Sequence, residues 1–205
     1  MKRIEIHPVN PQPRLIRQVA EQFQTGALVA LPTDASYVLA CHLEDRTAVD
    51  RMRQLRGIDE KHLLTLLCRD LSELSQYAQV DNRQFRFLKE WTPGAYTFIL
   101  PATREVPRRL MHPSRKTVGL RVPEAPIVQA LLAELGVPLL CASLILPGDE
   151  NPLSDPDDIQ DRIGKRIDLL VDGGAGQLEA TSVIDVTGDE PVIQRVGLGP
   201  VEAML

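Results

Sequence analysis

The chain has 205 residues, 43% of them apolar and 25% charged, which is enough to bury a core and too apolar for a disordered chain. Its 13 Gly and 3 Cys exclude a collagen-like repeat or a disulfide framework, and no apolar run approaches the ~20 residues of a membrane span. The formal charge is −5, yet residues 83–121 hold nine Lys and Arg against Glu90 and Glu105, a local +7 that leaves −12 elsewhere and suits an anionic ligand at one face.

The N-terminus, MKRIEIHPVN, has two basic residues but no apolar block and no cleavage site. The chain is therefore expected to stay in the cytoplasm, with the isolated Cys41, Cys68 and Cys141 reduced and packed. Leu15, Val19 and Phe23 recur at helical spacing, which predicts a helix over 14–25 with Gly26 just past its end. The apolar run 27–31, stopped by Pro32, reads as a buried strand that opens into a loop at Thr33. Asp45 is placed to cap a helix carrying Val49, Met52 and Leu55, and a strand over 63–68 follows Gly57. Asp70 with Glu73 resembles a capping box.

A helix over 81–91, stopped by Pro93-Gly94, precedes a strand over 96–100. Residues 117–122 form a further strand, and Pro126 opens a helix that runs to Leu135 and ends at Gly136. Residues 139–142 read as a buried strand, Asp155-Pro156 starts another helix, and 169–171, 182–186 and 192–194 supply the last strands. With no repeat and no dividing linker, the pattern predicts a single α/β (α+β) domain with a mixed sheet.

The chemistry is less legible. There is no GxxxxGK[ST] phosphate loop, no HExxH helix and no GxSxG elbow. Gly173-Gly174-Ala175-Gly176 reads as a turn, because no helix follows it and a third fingerprint glycine is missing. The four His residues are scattered without ligand spacing, as ordinary surface or core histidines are. What remains is a set of polar residues at strand ends: Thr33, Ser36, Ser143, Thr181, Ser182 and Arg195. Ligands in α/β sheets gather there, although a hydroxyl at such a place is more often a cap.

Taken in order, GALVALPTDASYVLA from Gly26, TPGAYTFIL from Thr92, TVGLRVP from Thr117, PLLCASLILPG from Pro138, DLLVDGG, TSVIDV and QRVG from Gln194 resemble the YrdC/Sua5 family. LCRDLSELS and VPRRL resemble its YciO branch. The resemblance covers nearly the whole chain, with a core over about 12–197 and no additional C-terminal domain expected after it. It implies a twisted mixed sheet flanked by helices with a basic concave cleft. It also implies threonylcarbamoyl-AMP synthesis from L-threonine, bicarbonate and ATP with Mg²⁺, for a tRNA modification, and a link to double-stranded RNA binding.

Residue by residue, the resemblance assigns Thr33, Tyr37, Arg121, Thr181 and Ser182 to the substrate, and Arg56, Ser143 and Arg195 to the nucleotide. The motifs depart at Ala35 and Val38, in the reversed order of Thr181-Ser182, and most of all in the family's KxR and SxN pairs. These stand here as Arg56-Gly57-Ile58 and Ser143-Leu144-Ile145, with Lys61 or the imidazole of His62 as the candidate replacement for the missing cation. Losing one transition-state donor costs about 10²–10³ in rate, so two isoleucines predict weak or altered activity. The alternative is a protein of the same fold that binds tRNA or double-stranded RNA without catalysis, through the dense cluster Arg108, Arg109, Arg115 and Lys116.

Overall fold

The computed structural model describes residues 1–205. In chain order it comprises β1 (Lys2–Glu5), α1 (Pro13–Gln24), β2 (Val29–Leu31), β3 (Val38–His42), α2 (Arg46–Arg56), β4 (Thr65–Leu67), α3 (Leu71–Tyr77) and α4 (Asn82–Trp91). There follow β5 (Tyr96–Pro101), β6 (Thr117–Arg121), α5 (Pro126–Leu135), β7 (Leu139–Ser143), α6 (Pro156–Ile163), β8 (Leu169–Asp172), β9 (Ser182–Asp185) and β10 (Val192–Arg195). No helix is long and apolar enough to cross a membrane.

The helix boundaries follow local chemistry. Asp45 accepts the Ala48 N–H and caps α2, which ends at Gly57 in the left-handed region, φ 66°. Asp70 accepts from the Glu73 N–H while the Glu73 carboxylate reaches back to the Arg69 N–H. Asp81 and Gln84 form a full capping box on α4. Proline opens α1, α5 and α6.

The ten strands form one mixed sheet in the order β1-β8-β2-β3-β7-β4-β6-β5-β9-β10. Two of them carry no strand signal in the sequence. In β1 only Ile4 is buried, so a charged edge strand shows no apolar run, and its partner β8 lies far along the chain. β3 is a short segment with Ala, Cys and His, made a strand by pairing on both sides with β2 and β7.

One face of this sheet packs on α2, α3, α4 and α6 through a main core that includes Leu39, Leu66, Phe98, Leu120, Met52 and Leu88. On the other face, α1 and α5 cover only the half built from β8, β2, β3 and β7, through Val19, Phe23, Val128 and Leu132. The rest of that face, around β4, β6, β5 and β9, carries no helix and lies open. The three cysteines are free and buried.

Gly119 sits in the middle of that bare half. A Cβ there would lie 2.7 Å from Thr65 Oγ1, 3.2 Å from Thr97 Cγ2 and 3.2 Å from the Leu64 carbonyl, so only glycine lets both threonines lean over β6. Gly119→Ala is expected to displace Thr65 and to lower stability by about 1–3 kcal/mol, read from the urea midpoint at unchanged m-value.

Candidate functional site

Strand periodicity delivers alternate side chains to the bare half of the sheet. They line a cleft of about 190 Å³ with Val38, Thr65, Thr97, Ile99, Cys141, Ser143, Thr181 and Val183 at its floor and walls. Four basic side chains close it: Arg56 from the end of α2, His62 from the loop before β4, Arg121 from the end of β6 and Arg195 from the end of β10. No carboxylate is among the lining residues.

The charges feel one another. Burial first, then Arg195, holds the Arg56 guanidinium below its ordinary pKa, and burial with Arg121 does the same to Arg195. The His62 imidazole is lowered by burial and then by Arg56 and Arg53. Cations crowded in a cleft with no carboxylate in its lining favour an entering anion.

Each arginine is held in place. Arg121, 3% exposed, donates from Nη2 to Thr33 Oγ1 at 2.8 Å and to the Asp34 carboxylate, while its buried Nε has no protein partner. Asp34 in turn accepts the Glu124 N–H at 2.9 Å, and Thr33 closes its own turn by donating to the Ser36 carbonyl. Arg56 donates to the Ile145 carbonyl and keeps a buried, unpaired Nε. Arg195 grips the Thr181 carbonyl with Nε and Nη2 at 3.0 and 2.8 Å, and Thr181 Oγ1 shares a 2.7 Å hydrogen bond with Thr97.

The structure thus brings together Arg56, Arg121, Ser143, Thr181 and Arg195, with Thr33 attached through Arg121. Other residues expected at the site lie elsewhere. Tyr37 is fully buried, its hydroxyl donating to the Gly174 carbonyl and accepting the Gly173 N–H, so it pins the glycine turn and does not line this cleft. Burial pushes this phenol up to about 12. Ser182 points away from Thr181, as adjacent strand residues must, and its hydroxyl ties Gly199 to Gly197. Lys61 is exposed and does not line the cleft.

The basic cluster is also outside it, on the segment joining β5 to β6. There Arg109 donates to the Leu43 carbonyl, Arg115 pairs with Asp185 at 2.8 Å and Lys116 donates to the Pro113 carbonyl, which leaves Arg108 without an internal partner. Thr65, Thr97 and Asp34 are site residues that sequence reasoning missed. Thr97 is a hydroxyl within an apolar strand, and Asp34 directly follows Thr33, so both were visible signals.

A larger hollow of about 500 Å³ opens near the start of α5, but it mixes Arg69 and Lys89 with Asp70 and Glu124 and so has no charge preference. No group of three His, Cys, Asp or Glu side chains is placed to hold a metal ion.

A mixed sheet with one half bare and three arginines converging over it defines an α/β protein with a basic cleft. The chain belongs to the Sua5/YciO/YrdC family, whose profile, described as telomere recombination, matches residues 21–197. It is 52% identical to YciO of Escherichia coli (strain K12) over 98% of this chain and 97% of that one. The crystal structure of E. coli YciO superposes with a TM-score of 0.97 at 50% identity, covering 100% of both chains. Threonylcarbamoyl-AMP synthase of Halorhodospira halophila is 30% identical over 86% of this chain and 92% of that protein. P. abyssi Sua5 complexed with L-threonine superposes with a TM-score of 0.90 at 26% identity, covering 99% of this chain and 59% of that one.

The Arg121–Asp34 pair sets the charge of the cleft. Asp34→Asn retains an acceptor for the Glu124 N–H but strands a buried cation, so stability should fall by about 3–5 kcal/mol in chemical denaturation. Polyanion affinity should rise in the same variant, because a ligand then supplies the missing countercharge; titration calorimetry with pyrophosphate reads this.

Proposed function

We propose that the cleft binds an adenine nucleotide, ATP or AMP, and serves weak or redirected threonylcarbamoyl-adenylate chemistry. The observation that carries this reading is the convergence of Arg56, Arg121 and Arg195 on a cleft with no lining carboxylate. Three guanidinium groups so placed suit a polyphosphate, since each offers a fork of donors to phosphate oxygens. Arg56, Ser143 and Arg195 would take the nucleotide. Arg121, with Thr33 and Thr181 beside it, would take the smaller anionic substrate, carboxylated L-threonine formed with bicarbonate.

In the reaction so proposed, the carbamate oxygen attacks the α-phosphate, its P–O bond forms and pyrophosphate leaves with the bonding pair. The arginines hold the charge that develops on the phosphate oxygens. Mg²⁺ would neutralise charge on the phosphates and would arrive coordinated by them, because no carboxylate lines the cleft to hold it first. Two features support a low rate. Ile58 packs against the main core instead of facing the cleft, and Ile145 contributes only its backbone carbonyl, as the acceptor for Arg56. The reading as a tRNA or double-stranded RNA binder has less support, because three of its four expected cations already have internal partners.

Calorimetry should detect ATP binding to the intact protein. Arg195→Ala should weaken it by about 10- to 100-fold, the loss of a charge-assisted hydrogen bond of about 1.5–3 kcal/mol. Pyrophosphate release from ATP should depend on added threonine and bicarbonate. Equal ATP affinity in the wild type and a folded Arg195→Ala variant would remove Arg195 from the site.

A further inference from the structure

We propose that His62 is a proton-controlled contact for the phosphate groups of the cleft's ligand and replaces, in this chain, the cation absent at Ile58. The proposal rests on the nucleotide reading above and adds to it a residue and a pH dependence. It begins with the loop after α2. Gly57 turns the chain in the left-handed region, and Asp59 Oδ1 then accepts the N–H groups of both Lys61, at 2.9 Å, and His62, at 3.2 Å. The Arg53 guanidinium holds the Asp59 carbonyl at 2.6 Å and locks this turn onto the helix. Both side chains are exposed, and of the two only His62 lines the cleft, as the loop's chargeable contribution to it.

Neither ring nitrogen of His62 has a protein partner, so both remain for a ligand. The groups that bear on it come from several elements: Arg53 and Arg56 on α2, Arg195 on β10, Arg121 across the cleft, and Asp59 on its own loop. Asp59 is the one carboxylate among them, and its Oδ1 is occupied by the two backbone N–H groups. Partial burial first, then the guanidinium groups of Arg56, Arg53 and Arg195 against the one carboxylate of Asp59, hold the imidazole below its ordinary 6.5. A polyphosphate reverses this balance, for it neutralises the arginines and offers an acceptor to the protonated ring.

The sign of the linkage follows. A ligand that raises the imidazole pKa binds more tightly as pH falls, by about tenfold for each unit raised. Lysine or arginine at the same place would bind equally well at every physiological pH, so this site grips its nucleotide hardest in acid.

The test is calorimetry with ATP and the intact protein, in two buffers of different ionisation enthalpy at about pH 6.5, so that proton uptake on binding is counted. Wild type, Lys61→Ala, His62→Asn and His62→Lys are compared, and the titration of ATP itself cancels between them. Wild type and Lys61→Ala are expected to take up a larger fraction of a proton than His62→Asn. His62→Asn should lose affinity at about pH 6 and match wild type at about pH 8.5, while His62→Lys keeps tight binding at both. ATP binding with equal proton uptake in wild type and His62→Asn overturns this inference and leaves the nucleotide reading intact. Absence of ATP binding to the wild type at either pH overturns both.

Discussion

The cleft depends on one buried charge. Arg121 ends the central strand β6 at 3% exposure, and a guanidinium so placed is tolerable only with a fixed countercharge and its hydrogen bonds supplied. Asp34 and Thr33 supply them from the loop after β2, and Asp34 binds the backbone N–H of Glu124 ahead of α5 as well. One carboxylate thus ties together the loop after β2, the end of β6 and the approach to α5, and the Nε left over is a buried donor without a protein partner.

Around this charge the shape of the cleft follows from unequal cover. Helices α1 and α5 bury half of one sheet face, while the strands beyond β7 keep theirs free. A bare sheet face is ordinarily a liability, yet here its alternate positions carry hydroxyls and cations instead of a large apolar patch. Gly119 leaves room for Thr65 and Thr97 to converge, and the hydrogen bond from Thr97 to Thr181 joins β5 to the residue ahead of β9. Arg195 then fixes that same residue by its carbonyl, so the floor and the edge of the cleft are one hydrogen-bonded unit.

The two isoleucines that depart from the family motifs have distinct consequences. Ile58 has become part of the packing beneath the cleft, whereas at Ile145 the backbone still serves by anchoring Arg56. The cleft thus keeps Arg56, His62, Arg121 and Arg195 among its lining residues while neither isoleucine side chain enters it. The segment joining β5 to β6, by contrast, uses Arg109 and Arg115 to hold itself to Leu43 and Asp185.

Much of this was legible in the amino-acid order. Helix periodicity with Asp45, Asp70 and Asp81 as caps, and prolines at helix starts, determined the helices, because these interactions lie within a few residues. The ordered motifs identified the family and brought Arg56, Arg121, Ser143, Thr181 and Arg195 into one expectation. Tertiary structure alone decided the rest. β1 pairs with the distant β8 and β3 with the distant β7 as well as with its neighbour β2, and no local pattern marks those long-range partners. Tyr37, Ser182 and Lys61 stand within the same motifs but do not line the cleft, since neighbouring positions along a strand or turn point to different sides. A net charge of +7 in residues 83–121 could not reveal which cations were already paired, for their partners Leu43 and Asp185 lie outside that segment. Composition determines how much charge a chain carries; the fold determines which of it is left for a ligand.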